Sequence, residues 1–111
     1  CDALQGSWAG TGVAKIGLIK CHYEGDGTIF GYGSVFQASL RLQHSGGELC
    51  PDRDNLVLTG NCDVDTGVLT ITTQDVHMQG SVDAEGTHIG MKGDMKLNGL
   101  KFELETSLDK L

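Results

Sequence analysis

Apolar and polar residues alternate along most of this chain, and no stretch has the spacing of an amphipathic helix. Period-two alternation predicts β-strands with one apolar and one wet face. The clearest stretches are residues 28–43, 55–64, 87–97 and 100–108, while residues 7–20 alternate less cleanly. In residues 28–43 six even positions are apolar, and we expect these residues to face one core: Phe30, Tyr32, Phe36, Ala38, Leu40 and Leu42.

Turn sequences separate the alternating stretches. Asn98-Gly99 is the strongest two-residue hairpin signal in the chain. Residues 24–27, Glu-Gly-Asp-Gly, also predict a turn, and residues 45–55 predict the longest loop. Matching apolar positions across two further turns predicts two hairpin registers, with Val64 opposite Leu69 and Val82 opposite Thr87.

The short connections predict one domain, residues 1–111, built as an antiparallel up-and-down meander of seven or eight strands. Its apolar face must be covered, and the sequence predicts no helix that could cover it. We therefore expect an all-β fold in which the sheet closes into a small barrel. A β-sandwich is the alternative.

Composition narrows the classes of partner. The 15 acidic residues outnumber 8 basic ones, and the basic residues are scattered from Lys15 to Lys110. Nucleic-acid binding requires clustered Lys and Arg, so we expect no nucleic-acid partner. Since no apolar run approaches about 20 residues, we also expect no transmembrane segment.

Four cysteines in a short acidic chain predict disulfides and an oxidising compartment. The alternative is four reduced, buried cysteines. The predicted strand directions put Cys21 and Cys62 at one rim of the barrel and Cys1 and Cys50 at the other. They therefore favour the pairs Cys21–Cys62 and Cys1–Cys50.

The cysteine at position 1 adds a prediction about localisation. Mature bacterial lipoproteins begin with a cysteine whose sulfur carries lipid, so a lipid anchor at Cys1 is one expectation. The alternative is that residue 1 is only where the numbering begins. We expect an extracytoplasmic protein that is secreted, periplasmic or lipid-anchored in a bacterial envelope.

The sequence contains no catalytic, cofactor or metal signature that we can assign. His77 and His88 fall on neighbouring strands, too far apart for one zinc ion without a third ligand. Asn61, Asp63 and Asp65 alternate as calcium ligands do, but turn chemistry explains them equally well. We therefore expect a protein that is not an enzyme and uses no cofactor.

The apolar face supplies the candidate binding residues, which we expect to line the barrel interior: Trp8, Phe30, Tyr32, Phe36, Met78, Met91 and Phe102. Few aromatics and many glycines leave room for a small apolar ligand. In the alternative, the core is filled and the protein is an inhibitor, an adhesion factor or an envelope-assembly module. A hydrolytic or isomerising enzyme with a site at a barrel mouth is the third interpretation.

Gly6-Ser7-Trp8 at the start of the first strand resembles the opening of calycins, the lipocalin- and avidin-type barrels. The resemblance covers these three residues and the all-β meander. It implies an up-and-down barrel around a hydrophobic ligand, with Trp8 plugging one end. The chain is short for a lipocalin and lacks the further tryptophans that wall the avidin site.

Overall fold

A computed structural model describes residues 1–46, 50, 55–73, 75–97 and 99–111. A short 3₁₀ helix, Asp2–Leu4, precedes eight strands. The strands are β1 (Gly6–Ile16), β2 (Ile19–Tyr32), β3 (Val35–Gly46), β4 (Asn55–Cys62), β5 (Val68–Ile71), β6 (Val76–Val82), β7 (His88–Leu97) and β8 (Leu100–Lys110). Each strand pairs antiparallel with its neighbours in the chain, and β8 pairs with β1. The predicted all-β fold and closed barrel are therefore confirmed.

Two tight hairpins join the strands at one end of the barrel. Gly17 takes a φ of +56° between β1 and β2, which glycine reaches without a steric penalty. Leu97 pairs with Leu100, and Gly99 has a φ of +78°, as a two-residue turn requires. The predicted Asn98-Gly99 hairpin is thus found, although Asn98 itself lies outside the described residues. Of the predicted loop at residues 45–55, β3 takes the start, and residues 47–49 and 51–54 lie outside the described residues.

The turn predicted at residues 24–27 is wrong, because these residues lie inside β2. Gly25 pairs with Leu42 and Gly27 with Leu40. A Cβ on Gly27 would lie 1.9 Å from the carbonyl oxygen of Ser39. Glycine is therefore needed here for close approach of the two strands, and not for a reversal of the chain.

The side chains of Phe30 and Tyr32 point out of the barrel, so their predicted interior position is wrong. They are 58% and 87% exposed. Only two residues link β2 to β3, and Tyr32 pairs with Val35. Because paired residues share a face, the inward positions change from odd numbers in β2 to even numbers in β3. The alternation from residue 28 to residue 43 is thus two strands with opposite phase.

Two hairpins are offset by two residues from the predicted register. Cys62 pairs with Leu69, and Val82 pairs with Ile89. Aspartates begin both turns and hold extra residues in them. Asp63 Oδ1 accepts hydrogen bonds from the backbone N–H groups of Asp65 (2.9 Å) and Thr66 (3.2 Å). Asp83 Oδ1 does the same for Thr87 (2.7 Å) and His88 (3.1 Å). An offset of two preserves which side chains face inward.

The strand β5 is the shortest, and its pairing with β4 extends over three residue pairs. Past the end of this ladder, the Thr73 hydroxyl accepts a hydrogen bond from the Thr59 N–H (2.8 Å) and donates one to the Thr59 carbonyl (3.2 Å). A side chain thus replaces the backbone of β5 at this point.

The structure contains two disulfides, as predicted, but joins different partners. Cys1 bonds to Cys62 and Cys21 to Cys50, with Cα–Cα distances of 5.7 and 5.5 Å. The predicted pairs Cys21–Cys62 and Cys1–Cys50 are wrong because the hairpin at Gly17 was not expected. That hairpin places Cys21 at the start of β2, at the opposite end of the barrel from Cys62.

The two ends of the barrel are named by these features. The plug end holds the 3₁₀ helix, the start of β1 and the Cys1–Cys62 bond. The far end holds the β1–β2 and β7–β8 hairpins and the Cys21–Cys50 bond.

Two disulfides are typical of proteins from oxidising, extracytoplasmic compartments. Among the described residues, no helix has the length and apolar character needed to cross a membrane.

Candidate functional site

Trp8 and the 3₁₀ helix close the plug end. The Trp8 side chain is fully buried, and its Nε1 donates a 2.7 Å hydrogen bond to the carbonyl of Leu4. The Cys1 amino group donates to the carbonyl of Gly33, and Lys110 Nζ donates to that of Ala3 at 3.0 Å. Since the helix contacts several strands around the rim, it spans the opening, with the indole packed beneath it.

A cavity of about 130 Å³ lies inside the barrel. Residues from all eight strands line it, and most of them are Leu, Ile, Val, Met and Phe. Tyr23 and Thr106 are the two inward positions of the lining that carry a hydroxyl group. Among the described residues, no polar or charged residue is fully buried. The arrangement favours a ligand that is itself apolar.

The burial of the cavity lining differs between the two ends of the barrel. At the plug end the lining residues Ile29, Leu69 and Ile89 are buried. Toward the far end Leu42 and Leu56 are only half-buried, although they also face inward. Ile71 and Val76, which also lie toward the far end, are buried, so the exposure of the lining differs from strand to strand at that end.

A second apolar cluster covers part of the far end. Ala14, Cys21 and Phe102 are buried together there, on the side formed by β8, β1 and β2. Cys50 packs against them through the bond to Cys21. This cluster narrows the far end on the side of β8, β1 and β2.

The seven predicted binding residues fall in four places. Phe36, Met78 and Met91 line the cavity. Trp8 lies in the plug, and Phe102 belongs to the far-end cluster. Phe30 and Tyr32 are on the outer surface. The structure therefore brings three of the seven together around one cavity.

The sequence prediction missed several residues of the lining. Tyr23 faces inward because the hairpin at Gly17 sets the phase of β2 to odd positions. Leu104 and Thr106 were read as members of a strand but not as lining residues. In the sequence, Gly17 itself was the one available signal of the turn that turns Tyr23 inward.

Among the described residues, no three His, Cys, Asp or Glu side chains come close enough together to hold a metal ion. His88 Nδ1 lies 2.8 Å from Asp109 Oδ1, on the outer surface. His77 pairs with Asp94, six positions further along β7 than His88. Asp63 holds the β4–β5 turn through its own hydrogen bonds, and Asp52 and Asp54 lie outside the described residues.

The Asp83 carboxyl, in the β6–β7 turn and outside the cavity, has a lowered pKa. The backbone N–H of Thr87 is the main cause that lowers the pKa of the Asp83 carboxyl, and the His88 N–H adds to it. Burial acts in the opposite direction but is outweighed. Hydrogen bonds to a carboxylate favour its charged form, so this aspartate holds the β6–β7 turn.

Comparison with known proteins does not assign the chain to a family. No family model matches it, and a search of the curated proteins finds no match. The resemblance of Gly6-Ser7-Trp8 to calycins therefore stays a prediction.

Proposed function

We propose that this chain is a non-enzymatic, extracytoplasmic binding protein whose barrel holds a small apolar ligand. The apolar cavity inside the barrel, lined by residues from all eight strands, carries this proposal. Removal of a ligand's apolar surface from water contributes about 25 cal/mol per Å², and no charge in the lining opposes it.

The cavity volume limits the size of the ligand. Apolar cavities of about 150 Å³ are known to stay dry and to bind molecules as small as benzene. Sites for larger organic ligands have volumes of about 300–1,000 Å³. A cavity of about 130 Å³ therefore suits a single aromatic ring or a short alkyl chain.

The plug end supports binding by keeping the cavity formed before a ligand arrives. The Cys1–Cys62 bond and the hydrogen bond from Trp8 to Leu4 fix the helix across the rim. A preformed site loses less conformational freedom on binding, so more of the burial energy contributes to affinity.

The proposed localisation is the bacterial envelope, as a secreted, periplasmic or lipid-anchored protein. The two disulfides support an oxidising compartment. A lipid anchor at Cys1 would require the same sulfur that bonds to Cys62. The intact mass of protein from its native host distinguishes these forms, since an acyl chain and a disulfide change the mass in opposite directions.

A substitution that fills the cavity tests the proposed function. Gly12 lines the cavity, and a Cβ there would meet its nearest atom, Thr106 Cγ2, at an ordinary 3.5 Å. The Gly12→Val variant should therefore fold while occupying ligand space. Gly90 faces outward with nothing within 4 Å of a Cβ, so Gly90→Val is the matched control.

Benzene is the probe, and the methyl NMR signals of Met91 and Leu104 report its binding. We expect these signals to shift on titration in wild type and in Gly90→Val. In Gly12→Val the affinity should fall by about tenfold or more, because overpacking a site costs about 1–3 kcal/mol. If benzene moves no lining signal in wild type, or binds Gly12→Val equally well, the cavity is not a binding site.

A further inference from the structure

Among the residues that the structure describes, one side of the barrel's outer surface carries no charged side chain. It is formed by the outward positions of residues 28–32, 35–39, 57–61, 68–70 and 79–81, on β2 to β6, and we call it the neutral face. None of the chain's 15 acidic and 8 basic residues lies in these segments. The chain as a whole has a net charge of −7, so the charge is concentrated outside this face.

The charged residues lie around the neutral face and on the opposite side. Arg41 and Asp26, whose Nε and Oδ1 atoms are 3.8 Å apart, bound it on β2 and β3. On the β7–β8 side, Lys92 and Glu105 face each other with Nζ and Oε1 3.9 Å apart. The barrel therefore has a charged side and an uncharged side.

The neutral face also carries exposed aromatic side chains. Phe30 and Tyr32 are two positions apart on β2 and share the outer face, and Val35 lies directly opposite Tyr32. All three are more than half exposed. Gln37, opposite Phe30, begins the uncharged polar surface that extends over β3 and β4. Aromatic anchors together with a lack of charged residues are the compositional mark of protein interfaces.

We propose that the neutral face is where two copies of this chain associate. In a two-fold dimer each surface meets itself, so a surface with excess negative charge would oppose its own charge. Contact through the neutral face avoids this repulsion and directs the charged sides of the two copies away from each other. The face offers nothing to a charged partner, whereas its apolar and amide groups match those of a second copy.

The size of the neutral face sets the expected strength of the dimer. At the usual spacing of strands and residues it measures about 20 Å across the strands and about 15 Å along them. Two such faces have a combined area of roughly 600 Å², which is below the roughly 1,200 Å² of stable specific interfaces, so we expect a weak and reversible dimer.

Two double variants test the proposal. Phe30→Thr/Tyr32→Thr removes the aromatic pair and keeps residues that suit a strand. Leu18→Thr/Leu100→Thr is the matched control, because these leucines are 103% and 52% exposed on the far-end hairpins, away from the neutral face. Dispersed amide spectra confirm that each variant keeps the barrel.

Sedimentation equilibrium and amide NMR spectra over a dilution series measure the association. We expect the apparent mass of wild type to exceed the monomer mass as the concentration approaches about 1 mM. The amide signals that move on dilution should be those of residues 28–39 and 57–61. The aromatic variant should dimerise at least about tenfold more weakly, and the control should match wild type.

Added salt separates this interface from a charged one. Because no ion pair crosses the neutral face, raising the ionic strength to about 0.5 M should leave the dimer intact or strengthen it by screening the net charge. A dimer that salt dissociates, or one whose shifted amides lie on β7 and β8, overturns the proposal. A wild-type chain that stays monomeric to about 1 mM also overturns it.

Discussion

Serine substitutions made in pairs test which cysteines are bonded and how much each bond stabilises the fold. Cys1→Ser/Cys62→Ser removes the plug-end disulfide, and Cys21→Ser/Cys50→Ser removes the far-end disulfide. Each variant should keep its other bond, so we expect neither to contain a thiol that alkylation can modify. The mismatched Cys21→Ser/Cys62→Ser variant should contain two, because Cys1 and Cys50 are at opposite ends of the barrel.

The loss of stability depends on the length of chain that each bond closes. The bonded cysteines are 61 positions apart at the plug end and 29 apart at the far end. Constraining the unfolded chain with loops of these lengths corresponds to about 4.3 and about 3.6 kcal/mol. Urea unfolding of the two matched variants at one pH should therefore show a larger loss for Cys1→Ser/Cys62→Ser.

Thiol counting and unfolding refute different parts of this reasoning. Two modifiable thiols in either matched variant, or none in the mismatched one, would refute the connectivity. A plug-end variant that is more stable than the far-end variant would leave the connectivity intact and refute the argument from loop length.

Two further substitutions test the turns and the close approach of strands. Asp83→Asn should destabilise the protein at neutral pH, because hydrogen bonds lower the pKa of the folded-state carboxyl below its ordinary value of 3.8. That stabilisation is fully present when the pH is above the ordinary pKa of the carboxyl, and it is lost as the pH falls through the lowered pKa of the folded state. The difference in urea midpoint between Asp83→Asn and wild type should therefore become smaller in acid. A difference that stays constant with pH would contradict this linkage. Gly93→Ala should cost about 2 kcal/mol or more, because its Cβ would lie 1.9 Å from the carbonyl oxygen of His77. Gly90→Ala, which meets nothing within 4 Å, should stay within about 0.5 kcal/mol of wild type in the same urea assay. Equal effects of the two alanines would show that β6 and β7 are not in tight contact at Gly93.

The sequence was sufficient for the fold class because period-two alternation extends over nearly the whole chain. It was not sufficient for the phase of each strand. Ile16 and Leu18 continue the alternation across the turn at Gly17, so the first hairpin has no break in pattern. The registers after Asp63 and Asp83 depend on side-chain hydrogen bonds that a match of apolar positions does not include.

The errors in the candidate site have the same origin. Residues 7–20 were interpreted as one strand and residues 24–27 as the next turn, so Cys21 was assigned to the wrong rim and Tyr23 was not assigned to the interior. The two-residue link after Tyr32 reverses which positions face inward. Phe30 was therefore predicted to lie inside the barrel, whereas its side chain is on the outer surface. Phe36, Met78 and Met91 line the cavity because the inward positions predicted for these parts of the chain are the inward positions of β3, β6 and β7.

The short ladder between β4 and β5 has a kinetic consequence. Three residue pairs hold this seam, against eleven between β1 and β2, and Thr73 extends it with a side chain. Local opening begins where the fewest backbone hydrogen bonds must break, so amide exchange should be fastest along this seam. The seam borders Leu58 and Ile71 of the cavity lining. Separation of these two strands should therefore admit water to the cavity without unfolding of the whole barrel.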